Sequence, residues 1–277
     1  MTKKTYRQYL LATPHMLWCV LFIVAPLLFV LYYAFTGQDG IFSFENFAKF
    51  FTKDAFLITF GRSMLYALVA TVVCLLIAYP LAYCIAQMKV RHQSMMVMLL
   101  MLPMWMNFLV RTYSLTQLLD NNGLINQALG AVGIPAVHFL GTPAAVVLGM
   151  VYNYLPFMVI PIYNVMAKLD KRLIEAARDL GATPVQTLLR VILPLTVSGI
   201  ISGITMVFVP SISTFYVSKA MSNGKVYLIG DLIETEFLAL NNYHLGSALS
   251  LILMVLILVS MFVMDKFGDE AEGGMLV

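Results

Sequence analysis

Six stretches of almost uninterrupted apolar residues constrain this chain more than any other feature. They run near residues 10–35, 64–87, 94–116, 141–164, 193–217 and 246–264. Each approaches or exceeds the roughly 20 residues that a helix needs to cross the hydrocarbon of a bilayer. Buried helices of a large soluble core would be shorter and coated by amphipathic helices, and no such coat exists. Strands of a membrane barrel would be short and would alternate in polarity. Only 11% of the 277 residues are charged and 61% are hydrophobic, whereas an ordinary soluble domain carries about 25% charge. The expected fold is all-α: a polytopic transmembrane bundle of six spans in one domain, 1–277.

The first run follows Lys3, Lys4 and Arg7, as a signal peptide would. It is too long for the apolar core of one, lacks a clean small-residue cleavage site, and carries Trp18, Pro26, Tyr32 and Tyr33. It is read as an uncleaved first span. With the N-terminus in the cytoplasm, eleven Lys and Arg fall inside and six outside, together the seventeen of the chain. That bias is the expected one. The short turn Lys89-Val90-Arg91-His92 has no acid to offset it. An even number of spans then puts both termini in the cytoplasm. The outer loops carry Asp39, Glu45, Asp54, Asp120, Asp231, Glu234 and Glu236 together with Gly- and Asn-rich turns. Phe44–Phe56 reads as a short helix along the outer interface. Pro26, Pro80, Pro103, Pro156, Pro161 and Pro210 lie in or near the spans, where each is expected to kink its helix.

One polar insert of substantial length, 165–192, lies on the positive side. Lys168 to Leu180 reads as a helix with Leu169, Leu173, Ala176, Ala177 and Leu180 on one face. Gly181 stops it and permits a left-handed turn. Thr183 caps a second helix with Pro184 at its first position, whose face is Val185, Leu188, Leu189 and Ile192. A generic amphipathic interface insert would explain the same periodicity.

The insert spells Glu175-Ala176-Ala177, three residues, Gly181, nine residues, Val191, one residue, then Leu193-Pro194. This spacing resembles the conserved loop of permease subunits of ABC importers, with Val191 where the family carries Ile. The resemblance extends over nearly the whole chain and is nearest to the spermidine/putrescine type. It is carried by Leu102–Thr112 with Tyr113, by Leu155–Tyr163, by the insert, and by Phe215-Tyr216-Val217-Ser218. It implies the type I importer permease fold, of the MetI-like kind, with the insert as a coupling loop whose first helix docks on an ATPase subunit. Carried over, Glu175, Ala176, Ala177 and Gly181 are ATPase-coupling residues, and Pro194 opens the fifth span as a rigid lever. It also implies partners: two copies of an ABC ATPase, a second permease subunit, and an extracellular or periplasmic polyamine-binding protein, all at a lipid membrane.

The chain has no Gly-rich phosphate loop, no His-Glu-x-x-His and no nucleophile elbow. It is therefore read as neither an enzyme nor a nucleotide-binding subunit, with no cofactor. His15, His92, His138 and His244 are scattered, and the net charge of +3 makes no case for nucleic acid. The three cysteines form no metal or disulfide pattern.

A polycation needs acids, carbonyls and aromatic faces along its path. No Asp or Glu falls deep in a predicted span. That leaves Trp105, Asn107, Tyr113, Asn153, Tyr154, Phe215 and Tyr216 as candidate pathway residues. Arg111 would repel a cation unless it pairs with Asp120 or a lipid phosphate. Lys219 stands where the resembled subunits usually carry an acid. Related permeases for iron, sulfate, molybdate, thiamine and opines share this layout, and a non-transporting scaffold that binds a cytoplasmic partner remains the rival reading.

Overall fold

The structure, a computed structural model, describes residues 13–273. Lys3, Lys4 and Arg7 lie outside the described residues. Within them the chain is helical, and no sheet forms beyond an isolated antiparallel bridge between Thr36 and Phe42. In order, the helices are α1 (Thr13–Ala34), α2 (Glu45–Thr52), α3 (Asp54–Gln87), α4 (Val90–Met101), α5 (Phe108–Leu119), α6 (Leu124–Ala131) and α7 (Pro143–Met166). There follow α8 (Lys171–Asp179), α9 (Pro184–Leu195), α10 (Val197–Ser213), α11 (Tyr216–Ser222), α12 (Ile229–Glu234) and α13 (Tyr243–Gly273). Four of these, α1, α3, α7 and α13, are each long and apolar enough to cross a membrane. The count rises to six if each of two bent helix pairs is one span.

The third span breaks beside Pro103, where a kink is expected, and the fifth breaks at Thr196 rather than at Pro210. Residues Val90–Trp105 and Phe108–Ala131 meet at 94°, and Pro184–Leu195 and Val197–Ser213 meet at 70°. At the first break Pro103 sits in a 3-10 turn, Leu102–Trp105. Asn107 then caps α5, its Oδ1 accepting from the N–H groups of Leu109 and Val110 at 2.8 and 3.4 Å. At the second, the Thr196 hydroxyl turns back to the carbonyls of Ile192 and Leu193 at 2.9 and 3.1 Å. Pro80, Pro156, Pro161 and Pro210, by contrast, lie inside continuous helices. Breaks therefore occur where a side chain satisfies the released backbone groups as well as where proline removes a donor.

The chain divides into two compact units. One takes residues up to Leu57 and Leu232–Leu256. Its small core joins Ala34, Ala248 and Leu251 with Val30, Phe35 and Phe47. The expected outer helix forms as α2, and the rings of Phe35, Phe42, Phe44 and Phe47 pack together beside it.

The other unit takes Ile58–Asp231 and Ile257 onward. Its core runs along α3 and α7 and includes Cys74, Ala78, Ala82, Met150, Met158 and Ile162. Helix α7 is central: 67% of its most apolar window is buried, against none for α1. Glycines allow that burial. A Cβ on Gly199 of α10 would meet the Pro161 carbonyl oxygen at 3.0 Å and Ile162 Cα at 3.2 Å. One on Gly203, a turn later, would meet Met158 Sδ at 2.7 Å. From another side, a Cβ on Gly149 would meet Val217 and Met221 of α11 at 2.8 and 2.9 Å. Small residues four apart let helix backbones approach closely, which is how helices associate where lipid offers no hydrophobic drive.

The neighbours of the two α10 glycines differ in kind, and that yields an ordering. Gly199→Ala presses on backbone, whereas Gly203→Ala presses first on a flexible methionine. Overpacking costs about 1–3 kcal/mol, and the larger loss is expected at Gly199. Unfolding in bicelles by titrated SDS measures both; a greater loss at Gly203 would contradict this packing.

Candidate functional site

The insert after α7 is built from local signals. Asp170 Oδ1 accepts from the Arg172 N–H at 3.0 Å, so α8 begins at Lys171 rather than at Lys168 as expected. At its other end the Ala182 N–H bonds the Ala177 carbonyl at 3.0 Å and the Gly181 N–H bonds that of Arg178 at 2.9 Å. This is a Schellman cap, and it needs the left-handed φ of +84° that Gly181 supplies. Thr183 then opens α9 with a reciprocal capping box: its Oγ1 accepts from the Gln186 N–H at 3.3 Å, and Gln186 Oε1 accepts from the Thr183 N–H at 2.9 Å. The glycine elbow between two short helices is thus present as expected.

The faces are not as expected. Leu169, Ile174 and Leu188 pack against the core, and Ile192 is buried within it. Leu173, Ala176, Val185 and Leu189 are exposed, and Leu180 is 89% exposed. The periodicity grouped residues that the structure divides, because both short helices carry apolar residues on two sides and a π-helical turn, Leu188–Ile192, re-phases the second. One side seats the insert and the other is left bare. Glu175 is exposed on α8. Pro194 is also exposed and lies between the π turn and the 70° bend, two residues before Thr196.

The seat of α8 touches three membrane helices. A cavity of about 120 Å³ lies beneath it, lined by Tyr83, Gln87, Gln93, Met166, Leu169 and Ile174 among others. The Gln93 amide donates to the carbonyls of Ala86 and Met88 at 2.9 and 2.8 Å, and its Oε1 accepts from the Tyr163 hydroxyl at 3.2 Å. One side chain therefore ties the turn between α3 and α4 to the end of α7, beside the seat of α8.

The candidate pathway residues scatter into different roles. Asn107 caps α5, and Trp105, 80% exposed, lies on the outside of the break. Asn153 is wholly buried in α7. Its Oδ1 accepts from Arg111 Nε at 2.9 Å, while its amide donates to Thr112 Oγ1 and to the Gly149 carbonyl at 3.2 and 2.9 Å. Arg111 is only 6% exposed. Its guanidinium also donates to the Pro103 carbonyl at 3.2 Å and lies 5.9 Å from the centre of the Phe108 ring. It pairs with neither Asp120 nor another carboxylate among the described residues. Arg111 thus staples the two arms of the broken span to α7. Tyr154 is buried near it, and Phe215 is exposed just before α11.

Tyr113 and Tyr216 do come together. They line an open pocket of about 450 Å³ between α5 and α11, with Thr116, Gln117, Asp120 and Lys219. The Gly141 N–H bonds the Met221 carbonyl at 2.9 Å and so fixes the rim. This pocket lies toward the Thr142 end of α7, and the α8 seat lies at the Met166 end.

Two acids read as loop residues are buried. Asp231, with 0% exposure, accepts at Oδ2 from the Ser218 hydroxyl at 2.7 Å and the Leu228 N–H at 2.9 Å. Glu236, also buried, accepts at Oε2 from Asn242 at 3.1 Å. The connector carrying Asp231 folds inward because the Ile229 N–H reaches Ser63 Oγ at 2.7 Å and Gly230 approaches the Ser213 and Thr214 carbonyls. An acid three residues into a helix start, after an apolar pair and a glycine, was the available signal.

Comparison with known proteins places this geometry. Residues 5–269 match the family described as "Binding-protein-dependent transport system inner membrane component". A Haemophilus influenzae protein named "Spermidine/putrescine transport system permease protein PotB" is 39% identical over 254 residues, covering 89% of this chain and 88% of its own. Among solved structures, a bacterial ABC transporter involved in import of the acidic polysaccharide alginate superposes with a TM-score of 0.77 at 19% identity. That match covers 97% of this chain and 96% of the other. The MetNI methionine ABC transporter superposes at 0.57 and 17% identity over 78% of this chain and 95% of its own. The chain belongs to the binding-protein-dependent transport inner membrane component family. It is an ABC importer permease subunit and a multi-pass inner-membrane protein.

The Arg111 staple predicts an asymmetry between single and double replacement. Asn153→Leu leaves a buried guanidinium short of a partner, at a cost of about 1–3 kcal/mol. Adding Arg111→Met removes the orphaned charge as well and should recover part of that loss. Thermal melting of the purified complex compares them; a double variant less stable than the sum of the singles would refute the staple.

Proposed function

We propose that this importer permease subunit carries polyamines, spermidine and putrescine, into the cytoplasm, driven through α8 by a separate ATPase. The observation that carries the drive is the exposed apolar face of α8 and α9, Leu173, Ala176, Leu180, Val185 and Leu189, set beside a Schellman cap at Gly181. Surface of this kind, on a seat joined to α3, α4 and α7, suits a soluble partner that pushes on the membrane helices. Glu175, Ala176, Ala177 and Gly181 are then the coupling residues. Ala176 and Ala177 permit close approach, Glu175 offers a charge to a basic group, and Gly181 sets the elbow. Pro194, beside the 70° bend, passes the displacement toward α10. The segment 165–192 is the coupling loop of a single transmembrane permease domain, 1–277.

In this reading each bent pair is one span, which gives six. The Lys and Arg bias puts the insert and both termini in the cytoplasm. The partners are two ABC ATPase copies, a second permease subunit, and a binding protein that presents the amine from outside. The polyamine assignment is supported by the identity to the PotB relative across most of both chains. Tyr113 and Tyr216 line the mouth of the pathway. Trp105, Asn107, Asn153, Tyr154 and Phe215 line or shape the path beyond it, Asn153 by holding Arg111.

Two variants test the drive. Gly181→Asp strains a left-handed position by about 1–3 kcal/mol, although a Cβ there meets no neighbour within 4 Å. Glu175→Lys reverses an exposed charge. Both are expected to leave the subunit in the membrane while substrate-stimulated ATP hydrolysis and uptake fall severalfold. Full uptake at normal protein level would sink the coupling assignment. The cargo is tested by radiolabelled spermidine and putrescine uptake in cells with and without the gene and lacking other polyamine systems. Loss on deletion is expected, and unchanged uptake would reject the polyamine reading.

A further inference from the structure

We infer that the open pocket between α5 and α11 is an outer vestibule that seats one primary ammonium group of an organic amine. The Asp120 carboxylate is its counter-charge and the Tyr113 and Tyr216 rings are its walls. The inference deepens the transport reading above and rests on it for the nature of the amine.

Three observations carry it. The first is position. The pocket and the α8 seat lie at opposite ends of α7, whose 24 residues span about 36 Å at 1.5 Å each. If α8 faces the ATPase, the pocket faces the side from which substrate arrives. The second is size and lining. About 450 Å³ falls in the range of small-molecule sites. Its lining joins a carboxylate and two phenol rings with the polar side chains of Thr116, Gln117 and Asn223. A carboxylate and aromatic faces are the groups that attract an ammonium ion. The third is helix polarity. Both α5, ending at Leu119, and α11, ending at Ser222, bring their C-terminal turns to the pocket. Carbonyls at helix C-termini lack intrahelical partners and carry partial negative charge, which favours a cation.

The room left in the pocket and the Arg111 charge behind it set the limit of one ammonium. Lys219, which is engaged within the fold, fills part of the same pocket and narrows the room left for a second cationic group. Behind Tyr216, at 6.2 Å between ring centres, stands Phe108, and the Arg111 guanidinium lies over that ring. A fixed positive charge therefore backs the vestibule. An amine is held at the mouth with its remaining length outward until the staple between Arg111, Asn153 and Pro103 rearranges.

The test is protection of an introduced thiol in the assembled transporter in nanodiscs. Cys19, Cys74 and Cys84 are replaced by Ala, and Ala220→Cys places a thiol in the pocket lining. Its modification by a positively charged methanethiosulfonate is timed with and without spermidine or sulfate. Spermidine should slow modification about tenfold, as a charge-assisted contact implies, and sulfate should not. Asp120→Asn should abolish protection and Asp120→Glu should retain it. Gln117→Cys is read the same way if Ala220→Cys fails to assemble. Absence of spermidine protection, equal protection by sulfate, or protection that survives Asp120→Asn each overturns the vestibule. Spermidine uptake by the unmodified complex is measured in parallel. Uptake without protection overturns the vestibule alone. Asp120-dependent protection without uptake supports the vestibule and overturns the transport reading.

Discussion

The close approach of α10 and α11 to α7 is the contact on which the remaining architecture depends. Lipid tails are as apolar as leucine, so helices in a bilayer gain little by hiding apolar surface from one another and must associate through tight packing. Gly199 and Gly203 bring one neighbour against α7, and Gly149 of α7 admits the other. Held on two sides, α7 becomes a fixed shaft despite Pro156 and Pro161. Its Met166 end borders the seat of α8, and its middle holds Arg111 through Asn153. Its Thr142 end adjoins the rim that Gly141 fixes to α11.

Against that shaft stand two bent segments. Inside a bilayer a break exposes backbone groups that water cannot satisfy, so each break recruits side chains. Asn107 caps the start of α5, and Arg111 reaches back across the break to the Pro103 carbonyl. Thr196 satisfies two carbonyls at the other bend and contacts the Tyr79 hydroxyl at 3.2 Å. These polar clusters rather than the prolines within continuous helices are where the bundle has alternative hydrogen-bonding partners within reach. Pro194, the proposed lever, lies two residues before the second of these clusters.

How far the sequence could be read follows from the range of each interaction. The Gly181 elbow, the Thr183-Pro184 restart and the apolar runs are set by residues within a few positions of one another, and all were legible. A kink at Pro103 was legible, but a full 94° break was not, because Leu102–Tyr113 is apolar enough to pass for one span. Its break depends on Arg111 finding Asn153, 42 residues away. The buried face of α8 was misread for the same reason: Ile174 faces inward because of the cavity wall supplied by Tyr83, Gln93 and Met166. Asp231 looked like a loop acid until Ser63, Ser218 and Gly230 showed how its segment folds inward.

The same distinction explains why the drive is easier to read from this chain than the cargo. The residues proposed to couple to the ATPase sit on one short exposed insert, and their chemistry is local. Polar groups at depth are largely engaged in holding the fold: Asn107 as a cap, Asn153 on Arg111, Asp231 on Ser218 and the Leu228 N–H. A side chain already committed to a structural hydrogen bond binds a passing solute only by giving that bond up, so such residues shape a path better than they select what enters it. Asp120, exposed at the rim beside Tyr113 and Tyr216, has no such commitment in the fold described. On the proposed transport reading, selection by this subunit belongs at that open pocket, which Asp120 lines and behind which the Arg111 charge stands.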